Sequence, residues 1–448
     1  MEVSQNNKYS LTGGGILKKL LLVAVPLMGT NLMQMAYTVT DMVWLGRVGS
    51  DAVAAVGSAG MYLWLSFGFI LVGKMGAEIG VSQQLGRGDK KTALTYSQNS
   101  FVIALVLGLL FGLTMIFFNK QLIGFFNFQE SKVADDAATY IFFCGFPMPF
   151  VFLSSVAVGS FNASGNSRTP FLVHALGIVF NIILDPIFIL FLGMGVKGAA
   201  IATVISEAFT CSAILIALFV SRNRPFERYS FRFRPEPEKI KRLLKWSVPI
   251  GVESILFCFL AMVTTRLETA FGAGAIAVSK IGAQVEALSW LIGGGFGSAL
   301  VAFIGQNYGA EKWERIHQGT KVSAIVMAIW GSAITLFLIT LATPIYSLFL
   351  SDPDLIALGA QYLFIIAFSH LSMNLEIVAS SSFKGLGKTI PPSIASITCN
   401  IIRPISAYIL SRTSLGLQGI WIAISATTVL RGIWICLWYL FYRKKKGI

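Results

Sequence analysis

Apolar residues along this chain come in long runs, broken by short basic or Gly-rich segments. A helix needs about 20 mostly apolar residues to cross the hydrocarbon of a bilayer. Twelve runs meet that length, at approximately 17–44, 52–84, 93–118, 137–162, 169–193, 196–220, 243–269, 275–306, 318–343, 356–383, 391–411 and 416–441. The expected fold is an all-α integral membrane protein with twelve transmembrane helices. The residues before the first run are polar and Gly-rich, and that run is too long for a signal peptide and lacks a small-residue cleavage site. The first helix is therefore expected to stay in the membrane as an anchor.

The runs repeat at an offset of about 222 residues. At offset 223, Leu20, Leu21, Val25 and Pro26 meet Leu243, Leu244, Val248 and Pro249, Ala52 and Ala54 meet Ala275 and Ala277, and Gln83 and Gly86 meet Gln306 and Gly309. At 222, FNASGNSRTP (161–170) meets FKGLGKTIPP (383–392), and at 221, GVKGAAIA (195–202) meets GLQGIWIA (416–423). Six spans is an even number, so both copies enter the membrane in the same orientation. Two six-helix bundles follow, related by a pseudo-twofold axis along the membrane normal with a cleft between them, the geometry of a rocking transporter. The expected division is 1–221 for the N-terminal bundle, 222–242 for a cytoplasmic basic linker and 243–448 for the C-terminal bundle.

Composition narrows the function. Of the 448 residues, 55% are apolar and 12% charged, against roughly 25% charged in soluble domains, which argues against a water-soluble enzyme. Lys and Arg number 35 against 21 Asp and Glu, a net charge of +14. In a soluble protein that excess would suggest nucleic acid; here the basic residues sit between apolar runs and report topology, so no nucleic-acid partner is expected. With the N-terminus cytoplasmic, the inner side holds Lys8, Lys18 and Lys19, Arg87, Lys90 and Lys91, Arg168, the linker cluster from Arg222 to Lys245, Lys312, Arg315 and Lys321, Lys384 and Lys388, and the tail from Arg443 to Lys446. The outer side holds Arg47, Lys120, Lys132, Lys197 and Arg412, and the acids Glu130, Asp135, Asp136, Asp352 and Asp354. The positive-inside rule then places both termini in the cytoplasm, with the linker also able to touch anionic lipid headgroups. The five cysteines, Cys144, Cys211, Cys258, Cys399 and Cys436, fall inside apolar stretches without CxxC spacing and read as unpaired packing residues.

No nucleotide-hydrolysing motif is present. GLGKT (385–389) imitates the end of a phosphate-binding loop, but the first glycine of that motif would fall on Ser382. The histidines His174, His317 and His370 are scattered without ligand spacing and read as packing or surface residues. What remains is charge inside the bilayer, which is costly and so marks function by default. Asp41 lies 22 residues beyond Lys19, about 33 Å along a helix, with Tyr37 one turn earlier on the same face. In the fifth span Asp185 lies 17 residues beyond Arg168 at similar depth, with Asn181 as its i−4 neighbour. Burial penalises a charged carboxylate, so one of this pair could bind and release a proton in each cycle; the competing reading is a structural network supporting breaks at Pro26 and Pro186.

The second bundle carries its charge elsewhere. Glu253 lies near the midplane of the seventh span, Glu286 in the middle of the eighth and Glu376 in the tenth. Through the repeat Asp41 maps to Thr264, while Asp185 maps to Ala407, or near Arg403 with one gap. These acids either form a cation or substrate site, or Glu253 and Glu376 pair with Arg403 or Arg431. Lys74 and Glu78, at i and i+4, are expected to neutralise each other. The chain also holds 35 Phe and 13 Met. Met33, Met35, Met61 and Phe150 lie on spans expected to border the cleft, where such side chains adapt to many apolar shapes; lipid-facing or core packing is the competing reading for each.

With these residues in hand the chain resembles the multidrug and toxic compound extrusion (MATE) transporters over nearly its whole length. The matching features are VPLMGTNLMQMAYTVTDMVWLG in the first span, GNSRTP after the fourth, NIILDPIFI in the fifth and GVKGAAIAT at the start of the sixth. The paired aspartates resemble the DinF-like branch, which implies a proton-linked network of Tyr37, Asp41, Asn181, Asp185 and Thr203; Thr203 enters only through the resemblance. In the sodium-coupled branch a glutamate in the seventh span and an acid in the tenth contribute to a cation site. Glu253 matches the first, whereas Glu376 or Asn374 could occupy the second place.

The expectation is a secondary exporter in the bacterial inner membrane, a monomer without cofactor, exchanging protons for amphipathic, often cationic, organic compounds by alternating access. Sodium coupling is the alternative. A flippase for lipid-linked substrates would call for a cationic cleft, against which the cleft acids argue. A membrane-embedded transferase would need a catalytic acid or histidine cluster near one membrane face, and none stands out.

Overall fold

The computed structural model describes residues 9–126, 128, 131–221, 224–231 and 233–446. Lys8, Glu130, Arg222 and Arg232, named above for topology, lie outside the described residues. In the first bundle, α1 (Ile16–Val48), α2 (Ser50–Gly86) and α3 (Lys90–Phe117) are followed by the short α4 (Asn119–Gly124), then α5 (Ser131–Gly145), α6 (Met148–Ala163), α7 (Arg168–Pro186) and α8 (Gly195–Val220). The second bundle holds α9 (Pro237–Glu268), α10 (Ala273–Gly309), α11 (Trp313–Thr340), the short α12 (Ala342–Ser347), α13 (Pro353–Gly385), α14 (Ile390–Ser411) and α15 (Gly416–Lys446).

Eleven of these helices are long and apolar enough to cross a membrane, and α5 with α6 makes the twelfth span. A continuous fourth span was the expectation from hydropathy; the structure breaks it, with a bend of 50° between α5 and α6. Pro147 sits at the break, where its ring fixes φ and it offers no N–H to the preceding turn. Pro186 acts differently: the chain continues beyond it as a wide π turn over Ile187–Phe191. Helix starts follow local chemistry as well. Asp89 caps α3 by accepting a hydrogen bond from the Thr92 N–H at 2.9 Å, which holds its carboxyl below the usual carboxylate range.

The repeat shapes the core in three dimensions. Leu20, Val23, Ala24 and Leu27, on the half of α1 nearest the termini, pack with Phe296, Phe303, Ile316 and Phe383 of the second bundle. Their repeat counterparts on α9, Leu243, Trp246 and Ile250, pack into the core of the first bundle. Each bundle thus lends half a helix to the other, and Pro26 and Pro249 lie inside these helices close to where each passes back to its own bundle. The segment ahead of each helix crosses over too. Leu11 is fully buried, its N–H donating to Gln306 Oε1 at 2.9 Å and its carbonyl accepting from Arg315 Nε at 3.2 Å. In the linker, the Glu236 N–H donates to Asn99 Oδ1 at 2.8 Å, and Gln98 Nε2 donates to the Ser230 carbonyl at 2.5 Å.

The closest cross-bundle approach obeys the same symmetry. Gln83 Nε2 donates to the Gly385 carbonyl at 3.0 Å, and its counterpart Gln306 Nε2 donates to the Ala163 carbonyl at 2.7 Å. One helical turn on, Gly86 and Gly309 let α2 and α10 touch: a Cβ on Gly86 would stand 2.0 Å from the Gln306 carbonyl oxygen, and one on Gly309 would stand 1.9 Å from that of Gln83. Gly309→Ala is therefore expected to lower stability by about 1–3 kcal/mol, as overpacking does, although alanine is favoured over glycine in an isolated helix. Gly294→Ala, whose Cβ would meet nothing within 4 Å, should leave stability unchanged or raise it by up to about 1 kcal/mol. Thermal unfolding of the two variants in detergent reads the opposite signs.

Candidate functional site

Three helices of the first bundle turn polar stripes toward one another. On α7 these are His174, Asn181 and Asp185; on α8, Thr203, Ser206, Glu207 and Thr210; on α1, Gln34, Tyr37 and Asp41. The spacings are those of single helix faces. α7 and α8 approach closely because residue 177 is glycine; a Cβ there would stand 2.0 Å from Thr210 Oγ1. Between the three stripes lies a cavity of about 20 Å³, lined among others by Tyr37, His174, Asn181, Ser206 and Glu207.

Tyr37 Oη and Thr203 Oγ1 are 3.5 Å apart, the long limit of a hydrogen bond, and the Thr203 hydroxyl also donates to the Ala199 carbonyl at 3.0 Å. Tyr37 lies within electrostatic reach of Asp41, Asp185 and Glu207, and the two aspartates within reach of each other. Asp185 is fully buried and Asp41 is 7% exposed. Both oxygens of Asp185, Oδ1 of Asp41 and both side-chain polar atoms of Asn181 have no hydrogen-bond partner among the described residues. Each such buried group costs about 1–3 kcal/mol, more when charged, so the cluster is held at a cost that a water or a proton would relieve.

The acids of the second bundle have different surroundings. Glu376 forms an ion pair with Arg431 at 3.2 Å, so that alternative holds for Glu376. Glu253 accepts a hydrogen bond from Ser393 Oγ at 3.0 Å, and Glu286 accepts one from Tyr362 Oη at 2.5 Å. The structure thus gives the three acids three different partners. Arg403 donates to the hydroxyls of Thr427 and Thr428 at 3.1 and 3.0 Å. A cavity of about 160 Å³ lined by Thr264, Glu268, Tyr362 and Arg403 occupies the place in this bundle that the aspartate cluster has in the first. Met33 and Met61 are half-buried and Phe150 is exposed.

One sequence reading needs correction. Among the described residues Lys74 and Glu78 make no contact ion pair: Glu78 is fully buried and both its oxygens lack a hydrogen-bond partner, although the charge of Lys74 still reaches it. Spacing of i and i+4 makes two side chains neighbours, but rotamers decide whether their charges meet. Glu207, an acid in an apolar span at i+4 from Thr203, is a member of the site that the sequence reading lacks, and His174, read there as a packing or surface residue, lines the same cavity. The depth of Glu207 in the sixth span and the seven-residue spacing from His174 to Asn181 were the available signals.

Twelve spans in two repeated bundles, with ionisable side chains gathered inside them, define a multi-pass membrane transporter. The chain belongs to the MatE family, whose sequence model matches residues 26–187 and 249–409, one stretch in each bundle. It is 28% identical to the probable multidrug resistance protein NorM of Thermotoga maritima, over 95% of this chain and 92% of that one. It is 26% identical to the probable multidrug resistance protein YoeA of Bacillus subtilis, over 96% and 95%. In fold it is similar to the crystal structure of a MATE in the straight conformation, with a TM-score of 0.91, 23% identity and 98% of each chain covered. The family is one of transporters, and the resemblance read from the first, fifth and sixth spans is to the family that these matches identify.

The Glu376–Arg431 pair yields a stability test. Both side chains are nearly buried, 11% and 13% exposed, so Glu376→Ala or Arg431→Ala is expected to cost about 3–5 kcal/mol by stranding the other charge. The double variant Glu376→Leu with Arg431→Met should recover most of that loss. Thermal unfolding midpoints of the four proteins in detergent supply the comparison.

Proposed function

We propose that this chain is a multidrug exporter that exchanges inward-moving protons for outward-moving amphipathic, often cationic, compounds by alternating access. The observation that carries the reading is the cluster of Tyr37, Asp41, Asp185 and Thr203, whose buried aspartates have no cationic partner among the described residues. Two carboxylates near each other and out of water are costly to keep ionised together, so a proton can enter and leave this cluster as its surroundings change. The multidrug resistance names of the bacterial relatives support the cargo.

With both termini cytoplasmic in a bacterial inner membrane, the interlock of α1, α2, α9 and α10 closes the cytoplasmic side. Among the described residues, the cross-bundle hydrogen bond from Asn31 Nδ2 to the Leu291 carbonyl at 2.8 Å extends that closure to the middle of α1, and in this reading protons reach the cluster from the outer side. Protonation of Asp41 from that side removes a buried charge, and α1 rearranges at Pro26 and expels the drug. Deprotonation after reorientation restores the site that binds drug. Coupling requires that drug and proton have different affinities for the two states, and a shared cluster supplies that difference through charge. Sodium coupling is the second reading, favoured by Glu253, an acid of the seventh span that accepts a hydrogen bond from the Ser393 hydroxyl.

Ethidium transport in proteoliposomes distinguishes the two. A pH gradient is expected to drive the wild type and a sodium gradient to leave it idle, with Asp41→Asn folded but inert. Transport driven by sodium alone and retained in Asp41→Asn would move the coupling site to Glu253 and overturn the proton reading.

A further inference from the structure

We infer that Glu207, with His174, forms an inner proton station that connects the Asp41–Asp185 pair to the end of the first bundle that carries the termini. The inference rests on the proton-coupled reading above and adds a route to it. Asp185 lies 17 residues from Arg168 at that end and His174 only six, about 26 and 9 Å along the helix. Protons held at the aspartates must cross the difference, and the three polar stripes cover it.

Glu207 stands midway, and among the described residues it has no ion pair. Its charge is felt by Tyr37 on α1, Cys144 on α5 and Cys211 on α8. His174 and Asn181 on α7 line the same cavity, and beyond His174 stand Lys74 and the buried Glu78 on α2. Two further groups point to an occupant of that cavity. Ser206 and Asn181 line it, are 5% and 3% exposed, and have hydroxyl and amide atoms without a partner. A space of about 20 Å³ holds roughly one water, which these orphan groups would bind.

The transfer balances atom by atom. The O–H of a protonated Asp41 gives its proton to the Tyr37 or Thr203 hydroxyl, which passes its own to the cavity water. That water gives one of its protons to a carboxylate oxygen of Glu207, so the intervening groups end as they began. Glu207 then yields the proton to a ring nitrogen of neutral His174, nearer the terminal end, and returns to carboxylate; the imidazolium, with the charge of Lys74 close by, gives the proton to solvent water at that end and returns to neutral imidazole.

The test uses Glu207→Gln, which keeps shape and hydrogen bonding but cannot carry the proton, beside Glu207→Asp, Asp41→Asn and the wild type in proteoliposomes. Two rates are read: ethidium counterflow without any gradient, and ethidium uptake driven by an imposed pH gradient. Glu207→Gln is expected to keep counterflow near the wild-type rate and lose about tenfold or more of the driven rate, with Glu207→Asp restoring driven transport. Driven transport retained in Glu207→Gln but lost in Asp41→Asn would overturn the station and leave proton coupling intact. Loss of both rates in Glu207→Gln would also overturn it, assigning Glu207 to cargo binding or structure. Driven transport retained in Asp41→Asn would overturn the coupling reading itself, and the station with it.

Discussion

A charge in hydrocarbon must be paired, wetted or neutralised, and the two bundles meet that demand in opposite ways. In the second bundle fixed partners do the work: Glu376 has Arg431, Glu286 has the Tyr362 hydroxyl, and Arg403 has two threonines. In the first, Asp41, Asp185 and Glu78 keep carboxylate oxygens that no protein group satisfies. Deep inside a membrane protein such groups are costly, face the bundle interior or a wetted cavity, and mark function by default. The proposed cycle places the carboxylates that change state in one half of a duplicated architecture.

The same duplication sets what can move. Because α1 and α9 each pack half their length in the opposite bundle, separation at the terminal end must carry those half-helices along or pull them out of a core. The symmetric bonds of Gln83 and Gln306 add a modest brake, about 1–3 kcal/mol for the two together at typical net values. Reversing a two-state equilibrium from 1:99 to 99:1 takes about 5.5 kcal/mol. Two hydrogen bonds are below that figure, so they can mark a closed state without locking it. The prolines at 26 and 249 lie where bending a helix costs fewest backbone hydrogen bonds, since each has already forfeited one.

Much of the fold was legible because hydropathy is written locally. The twelve runs and the 222-residue repeat need no knowledge of which helix meets which, and the positions matched at offset 223 reappear as symmetric contacts in Gln83 with Gln306 and Gly86 with Gly309. The exchange of half-helices was not legible, since Leu20 and Leu243 look like any apolar residue until their neighbours are known. The bend at Pro147 lay in plain view but was outweighed by unbroken apolarity on either side. At the site, i and i+4 neighbours were accessible to periodicity, so Tyr37 with Asp41 and Asn181 with Asp185 emerged together. Contacts between distant helices were not: Tyr37 and Thr203 are 166 residues apart, and Glu207 shares its cavity with Tyr37 on α1 and with His174 and Asn181 on α7.

The two cavities show what divergence after duplication achieved. The positions of Asp41 and, with one gap, Asp185 are held in the second bundle by Thr264 and Arg403, both of which line its cavity of about 160 Å³. An arginine there stays charged across the physiological range and cannot hand a proton on, whereas a carboxylate can change state. In the proposed cycle the second bundle therefore keeps a fixed charge at the position where the first carries a carboxylate that can change its own. What drives such a pair is a proton affinity at the aspartate cluster that differs between the two conformations, since a ligand without differential affinity shifts no equilibrium.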